Sequence, residues 1–152
     1  MSFYRTYRPQ VIGEIDNVAV REQLLSLLTK DRKNLPHAYL FTGPRGAGKT
    51  TAARVIAKLF NCTKPTKNGP CGKCDQCQTI SDGRNLDVLE IDAASNRGID
   101  EIRQLRDAIN LAPSSAAYKV YIIDEVHMLT TEAFNALLKT LEEPPAHAVF
   151  VL

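Results

Sequence analysis

Ala38-Tyr39-Leu40-Phe41-Thr42-Gly43-Pro44-Arg45-Gly46-Ala47-Gly48-Lys49-Thr50 (AYLFTGPRGAGKT) decides the fold. Its first five residues form a short apolar run of the kind that makes a buried strand. Three glycines follow within six positions, and from Lys49 to Phe60 (KTTAARVIAKLF) the apolar side chains recur at helical spacing. Gly43 to Thr50 fits G-x-x-x-x-G-K-[ST], and strand, glycine-rich loop and helix are the context that motif requires. The glycines let successive backbone N–H groups curl around phosphate oxygens, and the helix N-terminus adds its partial positive charge. Lys49 is then expected at the β and γ phosphates, with the Thr50 hydroxyl on Mg²⁺.

Outward from this stretch, short apolar runs alternate with amphipathic ones. Val20, Leu24, Leu27 and Leu28 line one face of a first helix, ended by the polar run Lys30 to Asn34. A short helix is expected near Gln76 to Ser81 and a second strand at Asp87 to Ile91 (DVLEI). Ile102, Leu105 and Ile109 supply the buried stripe of the next helix, whose first turn carries Asp100 and Glu101 against the positive end of its dipole. Lys119 to Ile123 (KVYII) predicts a third strand. Ala133, Phe134, Leu137, Leu138 and Leu141 form the apolar face of a helix that Pro144-Pro145 stops, and a fourth strand opens at Ala148. Such alternation predicts an α/β fold, a parallel sheet flanked by helices. The chain ends at Leu152 in mid-strand, with no turn after the apolar run, which predicts a longer parent chain.

The third strand ends in two carboxylates, Asp124 and Glu125, placed by the run Val120-Tyr121-Ile122-Ile123 at the carboxyl edge of a parallel sheet. This is a Walker B arrangement: Asp124 to hold Mg²⁺, Glu125 to orient and deprotonate the attacking water. His127 makes the string DEVH, which also resembles the DExH box of helicases. With no second ligand near it, His127 reads as a structural histidine.

Cys62, Cys71, Cys74 and Cys77 give C-x8-C-x2-C-x2-C. Pairs at C-x2-C spacing bring sulfurs onto one ion, and four thiolates close a tetrahedral structural Zn²⁺ site; an iron–sulfur cluster is the rival ligand. Gly69, Pro70 and Gly72 allow the tight turns between them. A closed site of this kind holds a fold and leaves no position open for catalysis.

Composition bounds the rest. At 152 residues, 44% apolar and 24% charged, the chain is the size of one globular domain. With 19 basic against 17 acidic residues, net charge alone requires neither nucleic acid nor a membrane surface. The distribution is less even: Gly43 to Arg84 holds eight basic residues and two acidic, and Asn85 to Leu152 five and eleven. No run approaches eighteen apolar residues and Met1 to Gln10 lacks the apolar centre of a signal peptide, so a cytoplasmic location without a membrane partner is expected.

The strings YRTYRP, HAYLFTGPRGAGKTTAAR, CGKCDQC, EIDAASNRGIDEIR, KVYIIDEVHML and FNALLKTLEEPP resemble the N-terminal ATPase domain of bacterial DNA polymerase III clamp-loader subunits of the gamma/tau kind, members of the AAA+ ATPases. The likeness runs from about Tyr4 to Leu152, with the cysteine module inserted between the phosphate loop and the second strand. It implies one AAA+ P-loop core over residues 1–152 containing a zinc module at 62–77, and a motor that uses ATP and Mg²⁺ to open a ring-shaped sliding clamp and close it on primed DNA. It also implies a pentameric assembly with other clamp-loader subunits and no polymerase active site.

Carried onto this sequence, the family's nucleotide contacts fall on Gly43, Pro44, Arg45, Gly46, Ala47, Gly48, Lys49, Thr50 and Thr51, its Mg²⁺ ligands on Thr50 and Asp124, and its catalytic acid on Glu125. Its zinc ligands fall on Cys62, Cys71, Cys74 and Cys77. Tyr7-Arg8-Pro9 resembles the segment that packs near the adenine base, whereas Asn17-Val18 stands where Gly-Gln is usual. Arg97 and Lys139 occupy positions that would face the DNA backbone. The family's sensor residue, its Ser-Arg-Cys trio with the arginine finger, its last core strand and its lid would fall beyond Leu152. A DExH helicase would need further motifs downstream and has no reason to insert four cysteines. A nucleotide- and zinc-binding scaffold without turnover is disfavoured by the presence together of Lys49, Thr50, Asp124 and Glu125.

Overall fold

The computed structural model describes residues 7–95 and 98–152. The chain divides into two compact units, Met1–Leu35 with Thr42–Asn85, and Pro36–Phe41 with Leu86–Leu152.

The second unit carries the sheet. Strands β1 (Ala38–Tyr39), β2 (Val88–Asp92), β3 (Lys119–Asp124) and β4 (Ala148–Val151) lie in the order β1-β4-β3-β2, all parallel. Val88 to Asp92 pair in register with Val120 to Asp124, and Lys119 to Ile122 with Ala148 to Val151. Parallel strands are buried on both faces, and β3 and β4 are read that way by their apolar runs. Tyr121, Ile123, Ala148 and Phe150 meet one face of helices α4 (Ile99–Ile109) and α5 (Thr131–Glu142), where Ile102, Leu105, Ile109, Ala133 and Leu137 are buried. The Tyr121 and Phe150 rings stack with centroids 5.5 Å apart. On the opposite side of the strands Val120, Ile122, Val149 and Val151 are buried too. Each such side chain contributes about 1.5–3 kcal/mol by leaving water.

Three sequence expectations shift here. The run at Ala38 makes an edge strand with one ladder neighbour, so Leu40 is 67% exposed where a buried strand was expected. Phe41 N–H still donates to the Leu152 carbonyl at 2.9 Å before the chain turns into the glycine loop. The second strand runs Val88–Asp92, one residue later at each end than expected, although the Asp87 carbonyl still accepts from Val120 N–H at 2.9 Å. The buried Asp87 carboxylate accepts the N–H groups of Ser114, Ser115 and Ala116 at 2.7, 2.8 and 2.8 Å. In α5, Ala133 and Leu137 are buried and Leu141 partly so, whereas Phe134 and Leu138 are each 39% exposed. At 100° per residue, 133, 137 and 141 share one line, and 134 and 138 fall on its flank.

In the first unit, α1 (Val18–Leu27) is capped by Asn17, whose Oδ1 accepts from Val20 N at 3.1 Å. The Asn-Val departure thus starts a helix. The unit's centre is α2 (Lys49–Asn61), buried from Ala52 to Asn61 except at Arg54, and α3 (Asp75–Ser81) packs against it. A helix buried nearly all round is a core element and not a surface one.

Candidate functional site

The glycine-rich loop Gly43–Gly48 of the first unit has the local geometry that its glycines predict. Gly46 and Gly48 both have φ of 85°, a left-handed conformation that side-chain-bearing residues rarely adopt, and residues 42–48 are exposed. Gly48 is the N-cap of α2 and offers no side-chain acceptor, so the helix's first N–H groups are left for an anion. Lys49 Nζ donates to the carbonyls of Gly43 and Pro44, the latter at 3.2 Å, which holds the ammonium over the loop. At the loop's far end Arg8 Nε donates to Thr51 Oγ1 at 2.9 Å. The Tyr7–Pro9 segment is therefore fastened to the start of α2 by a bond spanning 43 positions in sequence, with Tyr7 itself 76% exposed.

In the second unit Asp124 ends β3 beside Asp92 of β2, and its backbone carbonyl accepts from Ala93 N at 2.9 Å. Asp92 itself turns back on Ala94 N–H (2.9 Å) and the Ser95 hydroxyl (3.2 Å). Glu125 has φ 55° and is the single non-glycine residue with positive φ among the described residues. Its N–H donates to Asp124 Oδ1 at 3.0 Å, and its Oε2 lies 3.1 Å from His127 Nε2. His127, expected to be a structural histidine, is paired with Glu125, the carboxylate that ends the Walker B string. Lys139 is exposed on α5, and Arg97 lies outside the described residues.

The four cysteines do come together. Their Sγ atoms all lie within 4.8 Å of one another, and those of Cys62 and Cys74 are 3.9 Å apart. A tetrahedral Zn²⁺ with bonds of about 2.3 Å needs sulfurs about 3.8 Å apart, so the donor set fits in chemistry and in size. The sulfurs are also prepared for charge. Cys71 N–H points at Cys62 Sγ (3.3 Å), Cys74 N–H at Cys71 Sγ (3.2 Å) and Cys77 N–H at Cys74 Sγ (3.5 Å). Burial works against the Cys74 thiolate, but N–H and hydroxyl donors from Cys77 and Thr63 outweigh it and bring the thiol down to about 6. The N–H groups of Lys73 and Cys74 lower Cys71 as well. Burial pushes the Cys62 and Cys77 thiols up.

Sequence reasoning did not single out Gln10 or Lys58. Lys58 is 1% exposed, and its ammonium donates to the carbonyl of Gln10 at 2.9 Å and to Gln10 Oε1 at 2.8 Å. Burial lowers its pKa. A lysine on the apolar stretch VIAKLF was the available signal, since a lysine is fully buried only where it is paired.

A family model described as DNA polymerase III, delta subunit, matches residues 19–152. The chain belongs to this DNA polymerase III family. It is 52% identical to DNA polymerase III subunit tau of Bacillus subtilis over 99% of its length, and 47% identical to subunit tau of Escherichia coli over 97%. Against subunit gamma/tau of Mycobacterium tuberculosis the identity is 44% over 99%. These matches cover 27%, 23% and 26% of the three relatives, so the chain spans about a quarter of the length of the DNA polymerase III subunits it resembles. Among solved structures it is similar to a DNA polymerase III gamma subunit-related protein of Thermotoga maritima, with a TM-score of 0.60 and 28% identity over 86% of this chain and 38% of that one. The parallel sheet with flanking helices and the inserted cysteine cluster agree with the fold class expected for this DNA polymerase III family. No helix among the described residues is long and apolar enough to cross a membrane.

Proposed function

We propose that the chain is the ATP-binding and ATP-hydrolysing core of a bacterial clamp-loader subunit, which in the replicase loads a sliding clamp onto primed DNA. The observation that carries this is the loop Gly43–Thr50: positive-φ glycines, an uncapped helix N-terminus and a lysine held above both. In this reading the backbone N–H groups of Gly46 to Thr51 bind the phosphates, Lys49 spreads its charge over the β and γ oxygens, and Arg8 keeps the Tyr7–Pro9 arm at the nucleoside end. Thr50 and Asp124 would be the residues to hold Mg²⁺, which would supply charge neutralisation on the transferred phosphoryl group. Glu125 takes the proton of the attacking water, its carboxylate held in place by His127.

Zn²⁺ on Cys62, Cys71, Cys74 and Cys77 has a structural role here, because four thiolates leave no open position. Other clamp-loader subunits, the sliding clamp and primed DNA are the partners, with Lys139 and Arg97 offered to the DNA backbone, and the setting is the cytoplasm. The names of the relatives, all DNA polymerase III subunits, support this reading. Calorimetric titration with ATP and Mg²⁺ tests it: Lys49→Ala should bind at least about tenfold more weakly than wild type, whereas equal affinity in both refutes the phosphate-loop assignment. Binding without ATP turnover in the assembled loader would leave a scaffold and remove the motor.

A further inference from the structure

We infer that Gln10 is a positioning residue through which the cysteine module sets the placement of the Tyr7–Pro9 arm, and thereby the affinity for the nucleoside part of ATP. The inference rests on the nucleotide reading above. It starts from a continuous set of contacts within the first unit. Gln10 Nε2 donates to the Arg8 carbonyl at 3.1 Å, and Arg8 Nε in turn donates to Thr51 Oγ1 at 2.9 Å. The amide oxygen of Gln10 is gripped from behind, with Lys58 Nζ at 2.8 Å and the Ser81 hydroxyl at 2.7 Å. An ammonium has no acceptor, so Oε1 must face Lys58 and the NH₂ must face Arg8: the orientation of the amide follows from its neighbours. Gln10 N–H adds a bond to Glu14 Oε2 at 2.7 Å.

The other end of the contact set lies in the metal module. Ser81 closes α3, and its hydroxyl, with one proton to give, also stands 2.9 Å from the carbonyl of Cys77. The knuckle turns are moulded on the residues just after Gln10. A Cβ placed on Gly69 would lie 3.0 Å from Ile12 Cδ1, and one on Gly72 would lie 3.5 Å from Val11 Cγ1. Ile12 is wholly buried. Residues 8 to 12 therefore touch α2 on one side, through Arg8 and Gln10, and the cysteine loop on the other, through Val11 and Ile12, and Gln10 itself bonds both to Lys58 of α2 and to Ser81 of α3. Order imposed on α3 and the knuckle by a bound metal is transmitted by side chains that have little freedom to rearrange.

The test uses the full-length, zinc-loaded protein and two ligands, Mg²⁺-ATP and Mg²⁺-tripolyphosphate, which shares the phosphates and lacks the nucleoside. Gln10→Ala should weaken ATP about five- to tenfold, the loss of one ordinary hydrogen bond's worth of placement, and leave tripolyphosphate unchanged. Gln10→Glu keeps the acceptor for Lys58 and Ser81 but loses the donor to Arg8. It should show the same ATP loss with a wild-type melting temperature. Removing the metal should reproduce the ATP loss in wild type and add nothing in Gln10→Ala, because both act through the same contacts. Retained tripolyphosphate binding certifies the fold in every sample. Unchanged ATP affinity in Gln10→Ala, an equal loss of both ligands, or additive losses with metal removal would each overturn the inference. Failure of wild type to bind either ligand would instead remove the nucleotide reading on which it stands.

Discussion

Glu125 and His127 face each other across a single turn, with Oε2 and Nε2 3.1 Å apart, while the backbone of Glu125 sits in the left-handed region at φ 55°. A strained backbone that costs on the order of 1–3 kcal/mol persists where its surroundings hold it. Here the Asp124 carboxylate takes the Glu125 N–H and the 3₁₀ turn Val126–Met128 follows directly. The left-handed turn at Glu125 ends the strand there and brings its carboxylate to His127, the placement used by the base role proposed for it.

Glu125→Gln should suppress ATP hydrolysis in the assembled loader by about 10²–10⁴-fold while leaving the Kd for ATP unchanged, since the amide keeps the shape and cannot accept the water's proton. Glu125→Gly separates strain from chemistry. It should be equally inactive but at least as stable as wild type in thermal melts, because glycine adopts φ 55° freely. Undiminished turnover in Glu125→Gln would take Glu125 out of the base role.

Lys49→Ala should weaken Mg²⁺-ATP binding by at least about 1.5–3 kcal/mol, roughly ten- to hundredfold in Kd, as expected for a lost hydrogen bond to a charged group. The melting temperature should stay near that of wild type, because the bonds it gives up, to the Gly43 and Pro44 carbonyls, are exposed. Calorimetry and a thermal scan of the same samples check both halves.

Much of this was legible in the sequence, and the exceptions have physical causes. Local devices declare themselves: glycines where φ must be positive, Asp124 and Glu125 after an apolar strand, cysteines at C-x2-C spacing, and Pro144-Pro145 after α5. Long-range partners do not. Nothing near Gln10 announces Lys58 or Ser81, 48 and 71 positions away, because side-chain hydrogen bonds leave no periodic trace. The apolar run at Ala38 reads the same whether the strand is central or at an edge, and the difference appears only with the order β1-β4-β3-β2. The lack of a second metal ligand makes His127 read as structural, a criterion blind to a carboxylate partner two residues back.

Asp87 gives the fold an acid limit. Burial acts to raise its carboxyl, but the N–H groups of Ser114, Ser115 and Ala116 more than offset that and hold it below its ordinary value of 3.8. The ionised form is thus the stabilising one. Its contribution is fully present above about pH 4 and drains away as the pH falls through the lower folded value. Asp87→Asn should cost about 1.5–3 kcal/mol at neutral pH, since the amide cannot accept three N–H donors, and should flatten the fall in stability below pH 4. Urea titrations at pH 7 and pH 3 measure both.

The cysteine module carries the last prediction, which concerns protons released when metal binds. Cys74, brought down to about 6, is mostly thiolate at neutral pH and offers charge in advance, and Cys71 is shifted in the same direction by the N–H groups of Lys73 and Cys74. Cys62 and Cys77, raised by burial, hold their protons until the metal displaces them. Zinc binding near pH 7.5 should therefore release at least the two protons of Cys62 and Cys77 per ion, measurable as the dependence of calorimetric heat on buffer ionisation enthalpy, and apparent affinity should rise with pH. Acidification acts in the opposite sense, and below about pH 6 Cys74 is protonated as well and affinity should fall more steeply. Cys74→Ser removes the thiolate that needs no displacement, and also weakens the acceptor that caps α3 through Cys77 N–H. It should lower zinc affinity and the melting temperature together, with a smaller change in melting temperature when the comparison is made in metal-free samples. Release of no protons, or a zinc affinity flat from pH 6 to pH 8, would show that these four thiols do not form the metal's ligand set.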